Sequence, residues 1–164
     1  MGRLKNKTII IDNCLESSTV LDFKNNLKQD NIPVTWYMKK DNHLYSDYCN
    51  LLLLQCQDYY DLSDCIGYEF WTQNNTRPSD WHYDKDEEYL NNTGSFKFPI
   101  CSIVYYLNVD NMTGGLLHLE DCIILPKTNR MVIFPPGTMH YVEEFTGKRT
   151  SILVNPWNYN LVSE

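Results

Sequence analysis

The chain has 164 residues, a formal net charge of −7 and 43% hydrophobic residues. This length suits one domain with a substantial core, and the acidic balance argues against a nucleic-acid partner. The longest apolar run, "LLLL" at 51–54, is far too short for a membrane span, and no apolar leader precedes Asp12, so a cytoplasmic protein is expected.

Six cysteines (Cys14, Cys49, Cys56, Cys65, Cys101 and Cys122) show no CxxC pairing, and free thiols are the expectation. "SSTVLDFKNNLKQDN" at 17–31 predicts a helix with Ser17 or Ser18 as N-cap and Val20, Leu21, Phe23 and Leu27 on its apolar face. "IPVTWYM" at 32–38 predicts an edge strand, because Pro33 cannot donate to a ladder and β-branched and aromatic residues follow it. "LYSDYCNLLLLQCQDYY" at 44–60 is long and apolar enough for a helix with a buried face.

From about Ile66 short apolar runs follow one another: "IGYEFWTQ", "PICSIVYYLNV", "GGLLHLE", "CIILP", "RMVIFPP", "MHYVEEF" and "RTSILVN". Turn chemistry separates them, in "NNTRPSD", "DNMTGG", "PKTN", "PPGT" and "TGK". Many short strands at close spacing predict an antiparallel sandwich or barrel. The opening helices would pack on one outer face, giving a mainly β (α+β) fold. No repeat or linker marks a boundary, so one domain over 1–164 is expected, with a helical or mixed part at about 1–65.

Four histidines are present. His43 lies in a polar loop and reads as solvated. His118 alternates with Leu117 and Leu119 and reads as structural or exposed. His82 and Asp84, in "WHYDKDE", are two apart on a run entering a strand, so both face one way. The spacing alone is a weak signal, and the following "DKDEEYLNN" reads most simply as a charged helical turn or loop. His140 follows a strand and a Pro-Pro-Gly turn. Two imidazoles and one carboxylate leave half an octahedron open on Fe(II), although zinc would accept the same ligands. Arg149 and Ser151, two apart on "RTSILVN", then share one face of a strand. A guanidinium in an apolar strand demands an anion, and its planar fork beside a hydroxyl suits a carboxylate.

The ordered set "WHYD", "SIVYYLN", "TGGLLHL", "MVIFPPGTMH" and "GKRTSILVN" resembles the Fe(II)- and 2-oxoglutarate-dependent oxygenases, in particular their prolyl-hydroxylase-like branch. The resemblance covers about residues 68–157. It implies a double-stranded β-helix, or jelly roll, over about 66–157, cupin-like in form. It implies His82, Asp84 and His140 as iron ligands, and Arg149 on the distal carboxylate of 2-oxoglutarate, with Tyr106 donating to that carboxylate or bracing the arginine. Ser151 would be a helper hydroxyl. The tyrosine that meets the metal-side end of the co-substrate in some relatives has no counterpart, and Trp71 and Gln73 are its candidate replacements. The implied activity is oxidative decarboxylation of 2-oxoglutarate to succinate, coupled to hydroxylation of a substrate C–H by dioxygen. Ascorbate would serve as reductant, and the substrate would be a protein residue, prolyl above all, or a small amino-acid-like molecule. The alternatives are a non-catalytic jelly-roll binding module and a zinc or cupin-type enzyme that does not use 2-oxoglutarate.

Overall fold

A computed structural model describes residues 7–27, 31–74 and 78–161. In chain order the elements are β1 (Ile9–Ile11), α1 (Ser17–Asn26), β2 (Thr35–Met38), α2 (Leu44–Cys56), β3 (Gly67–Gln73), α3 (Glu87–Thr93), β4 (Ser102–Gly114), β5 (Leu117–Leu119), β6 (Ile123–Ile124), β7 (Arg130–Phe134), β8 (His140–Val142) and β9 (Phe145–Trp157). The strands form a six-stranded sheet, ordered β1-β7-β4-β9-β3-β2, and a three-stranded sheet, ordered β6-β5-β8. All the pairings are antiparallel. This is the expected mainly β, α+β jelly roll.

Period-two alternation gives the large sheet two buried faces. Tyr68, Phe70, Ile103, Tyr105, Met131, Ile133, Ile152 and Val154 pack with Phe23, Leu27, Tyr48, Leu52 and Cys56 from the helical side. The opposite residues Val104, Tyr106, Val132 and Phe134 pack with Leu117, Leu119 and Ile124 of the small sheet. The helices therefore cover one outer face, and the second layer lies between the sheets.

Helix α2 follows the expected pattern, burying Cys49, Leu52, Leu53 and Cys56 at helical spacing. Its N-cap is His43, whose Nδ1 accepts from the Tyr45 amide at 3.1 Å, so this histidine has a capping role instead of being merely solvated. Helix α1 differs from expectation at its start. Ser17 is already its first residue, Glu16 is the N-cap, and no side chain caps it. Phe23 and Leu27 are buried as anticipated, but Leu21 is exposed, and the end of that stretch, 28–30, lies outside the described residues. Strand β2 is an edge strand. Strand β1 was not anticipated: three consecutive isoleucines pair with β7 at the opposite edge, too short a run to show a period. Its following Asp12 takes a two-pronged ion pair from Arg130, at 2.7 and 3.0 Å.

Candidate active site

Three turns bring the candidate residues together. After β4, Gly114 and Gly115 have φ of 80° and 72°. A Cβ at Gly114 would run into the Glu144 carbonyl, so only glycine lets the chain reverse there into β5. The turn at 135–138 leads from β7 into β8 and is tied by Thr138 Oγ1 donating to the Pro135 carbonyl at 2.8 Å. The third segment returns from β3 and lays His82 alongside His140, where the two backbones exchange N–H···O=C bonds of 3.0 Å each.

His82, Asp84 and His140 consequently form a cluster whose potential ligand atoms lie within 4.8 Å of one another. Asp84 Oδ1 is 3.5 Å from His140 Nε2 and 3.8 Å from His82 Nε2. Each ring directs Nδ1 at a carbonyl two residues earlier, His82 to Asp80 at 2.7 Å and His140 to Thr138 at 3.0 Å. A carbonyl can only accept, so the Nδ1 proton is spent there and Nε2 is left as the ligand atom. Burial would raise the Asp84 carboxyl, but hydrogen bonds and charge from His140, with Ser102 and His82, hold it below its usual value. Burial would lower His140, and Asp84 raises it instead. The donor set of two imidazoles and one carboxylate, with tautomers fixed from behind, fits a divalent transition metal with open positions.

The cluster opens into a cavity of about 120 Å³ between the sheets, lined also by Trp71, Gln73, Tyr106, Arg149, Ser151 and Leu153. Every residue named from the sequence as a candidate thus reaches one cavity. Arg149 is only 4% exposed, its Nε has no hydrogen-bond partner, and its guanidinium carbon lies 4.4 Å above the Phe145 ring. Among the described residues no carboxylate pairs with it. Ser151 Oγ is likewise buried without a partner. Burial lowers the Arg149 pKa and pushes the Tyr106 phenol up to about 12, so Tyr106 stays protonated and able to donate. A buried cation, an unpaired hydroxyl and a neutral phenol on one cavity wall make a site for an anion.

Several residues escaped the sequence reading. Asn155 continues the inward row of Arg149, Ser151 and Leu153 on β9, four residues beyond Ser151, and is 3% exposed. One end of its amide lies 3.3 Å from Asp84 Oδ2, Ser102 Oγ and the Val154 carbonyl, and because the carboxylate and the carbonyl only accept, that end is assigned as the nitrogen. Opposite it across the β3–β9 pair stands Glu69, which accepts from Trp157 Nε1 at 2.7 Å. Burial pushes the Glu69 carboxyl up to about 7. The signal was a polar residue at period two inside an apolar strand.

The residues read as structural keep that role. His118 is structural, bonded to Glu143 at 2.6 Å and stacked on Tyr141. Tyr83, between the two candidate ligands, packs on Phe96 and Phe98. None of Lys85, Asp86 and Glu87 lines the cavity. Asp86 caps α3 through the Tyr89 amide and takes the Tyr159 hydroxyl, and Lys85 pairs with Glu87 at 2.8 Å. The six cysteines are free, as expected.

Residues 70–158, more than half of the chain, match the family model of the 2OG-Fe(II) oxygenase superfamily. The chain belongs to that superfamily of iron- and 2-oxoglutarate-dependent oxygenases. Its fold is similar to that of a Pseudomonas putida prolyl-4-hydroxylase, with 16% identity over 94% of each chain and a TM-score of 0.62. A viral collagen prolyl hydroxylase from Paramecium Bursaria Chlorella virus-1, solved with 2OG, is similar at 16% identity over 92% of this chain and 93% of that one, with a TM-score of 0.59. A Trichoplax adhaerens prolyl hydroxylase, in complex with a hypoxia inducible factor peptide fragment, is similar at 17% identity over 97% of this chain and 88% of that one, with a TM-score of 0.59. No curated protein matches the chain. Among the described residues no helix is long and apolar enough to cross a membrane.

Proposed function

We propose that His82, Asp84 and His140 hold Fe(II), that Arg149, with Tyr106 and Ser151, holds the distal carboxylate of 2-oxoglutarate, and that the reaction is hydroxylation of a C–H on a prolyl or other protein residue, or on a small amino-acid-like molecule. The observation that carries this reading is the shared cavity: a buried guanidinium with a partnerless Nε opens onto the same space as the two-histidine, one-carboxylate cluster. Bound iron with 2-oxoglutarate supplies the activation of dioxygen, with succinate and carbon dioxide as co-products.

The protein's part is positioning. Asp80 and Thr138 fix the imidazole tautomers, and Arg149 meets one carboxylate with a planar fork while Tyr106 donates beside it. Val104, Leu117, Val142 and Leu153 line the cavity with apolar surface that excludes water. Trp71 and Gln73 line it from β3 and are the residues available to the metal-side end of the co-substrate. Ascorbate is proposed as a reductant that maintains the ferrous state. A cytoplasmic setting is proposed as well, supported by the six free cysteines.

The test is succinate formation by purified protein with Fe(II), dioxygen, ascorbate and 2-oxoglutarate, across peptide and metabolite pools, followed by mass spectrometry for an added oxygen. Failure to turn over 2-oxoglutarate with any pool, together with unchanged co-substrate binding by Arg149→Met, favours the non-catalytic alternative. Zinc retained after anaerobic purification, without 2-oxoglutarate binding, favours the cupin-type one.

A further inference from the structure

Asp84 has two oxygens in different surroundings. Oδ1 faces the Nε2 atoms of His140 and His82, at 3.5 and 3.8 Å. Oδ2 faces the Asn155 amide at 3.3 Å. The orientation of that amide follows from its neighbours. The Val154 carbonyl and the Asp84 carboxylate can only accept, so the nitrogen and not the oxygen must point at them. The Ser102 hydroxyl lies 3.3 Å from the same nitrogen, and it is among the groups that hold the Asp84 carboxyl below its usual value. All three polar residues sit on inward positions with little or no solvent, Ser102 and Asn155 each at 3% exposure. Glu69, held by Trp157, closes the far side of Asn155.

We propose that Asn155 is a positioning residue that keeps Asp84 a one-oxygen ligand. It engages Oδ2 from behind, so that only Oδ1 is presented to a metal ion between the histidines. The proposal rests on the ligand assignment made above and adds to it the residue of this chain that holds the second carboxylate oxygen away from the metal. A carboxylate free to rotate chelates through both oxygens and takes a fourth position. One held at Oδ2 leaves three, as many as a two-point chelating co-substrate and dioxygen need together. A buried amide on a strand does this without a competing charge, whereas a lysine or arginine there would neutralise the ligand.

The experiment compares wild type, Asn155→Leu, Ser102→Ala and Asp84→Ala by Co(II) titration of metal-free protein. The Co(II) ligand-field spectrum reports coordination, and 2-oxoglutarate affinity is measured on the Co(II) form. Asn155→Leu is expected to keep Co(II) binding, to change the Co(II) spectrum and to weaken 2-oxoglutarate binding to the Co(II) form by ~10- to 100-fold. Ser102→Ala is expected to change the spectrum and the 2-oxoglutarate affinity in the same direction by less. A purely structural asparagine would shift the unfolding midpoint and leave the spectrum of the folded fraction alone. Asn155→Leu protein that folds, gives the wild-type Co(II) spectrum and binds 2-oxoglutarate within about threefold of wild type overturns the proposal. If that variant does not fold, Asn155→Ala decides by the same two readouts: a changed Co(II) spectrum with weaker 2-oxoglutarate binding supports the proposal, and wild-type values of both overturn it. Asp84→Ala separates the two levels. Unchanged Co(II) affinity there defeats the ligand assignment itself, whereas loss there with no effect at Asn155 defeats only the positioning role.

Discussion

Replacing Arg149 by methionine is expected to raise the stability of the ligand-free protein while abolishing its response to 2-oxoglutarate. The guanidinium is buried, its Nε is unpaired, and among the described residues no carboxylate faces it. Removing a charged group normally destabilises when it strands a partner, but here no partner is left behind. What is lost is contact with the Phe145 face, 4.4 Å from the guanidinium carbon, worth about 0.5–2 kcal/mol. Relief from burying an uncompensated charge is worth several kcal/mol, and a methionine keeps much of the stem's packing. The net expectation is a gain of roughly 1–3 kcal/mol, and at this chain length each kcal/mol moves the melting midpoint by about 2–4 °C. Ligand reverses the order. With Mn(II) as a redox-inert metal and 2-oxoglutarate at a hundred times its Kd, wild type gains about 2.7 kcal/mol by mass action, and the variant gains nothing from the keto acid. The assay is thermal unfolding of both proteins under nitrogen, with and without each ligand. An Arg149→Met protein that melts several degrees below ligand-free wild type, or that shows the wild-type shift with 2-oxoglutarate, refutes the reasoning.

Other perturbations separate the parts of the site. His140→Ala and His82→Ala are both expected to abolish metal-dependent succinate formation, but only His140, whose side chain is 7% exposed against 41% for His82, should lower metal-free stability, by on the order of 2 kcal/mol in urea unfolding. Glu69 holds its proton to about pH 7 when folded and to about 4.5 when unfolded. Its stabilising contribution is therefore full below pH 4.5 and lost as pH rises through about 7, by on the order of 3 kcal/mol. Metal-free Glu69→Gln should show a flatter stability profile across that window, read from urea midpoints at successive pH values. Gly114→Ala, at φ 80° and against the Glu144 carbonyl, should cost roughly 2 kcal/mol or more and displace Leu117 from the cavity wall, measurable as weaker 2-oxoglutarate binding.

Much of this site was legible in the linear order because the strands of a jelly roll present alternate residues to one cavity. Arg149 and Ser151 could be paired by counting in twos along β9, and the glycine and proline turns marked where strands reverse. His82 and Asp84 differ from that expectation: their run enters helix α3 and not a strand, and the single bridge from His82 to His140 is what holds it at the cavity. Asn155 obeyed the same count but carried no charge and matched no motif, so its place on the row was readable while its role needed Asp84 Oδ2 as a neighbour. Glu69 was hidden differently. A glutamate in "GYEFWTQ" reads as the solvent face of a strand, and only the small sheet and the carboxy-terminal Trp157, whose Nε1 bonds it, make that face an interior. His43 is exposed, as its polar loop indicated, but its cap on α2 was not readable because a polar loop and a helix cap have the same composition. The short β1 had too few residues to show any period, and its pairing with β7 comes from distant sequence.

The charges of the cavity imply an order of assembly. Asp84 and Arg149 bring one negative and one positive charge to the same cavity, and Tyr106 is neutral, its phenol pushed up to about 12 by burial. A dianionic keto acid entering first would satisfy Arg149 with one carboxylate but turn the other toward Asp84, in a cavity whose low dielectric strengthens the repulsion. A divalent metal between Asp84 and the two imidazoles reverses the sign at that end, and the later dianion then restores neutrality to the whole cavity. Binding of 2-oxoglutarate should therefore be metal-dependent, with the dependence carried by Asp84. In a calorimetric titration without metal, Asp84→Asn is expected to bind 2-oxoglutarate more tightly than wild type. Equal or weaker binding by that variant would show that Arg149 alone governs entry and that the carboxylate of Asp84 is already screened by its bonds to Ser102 and Asn155.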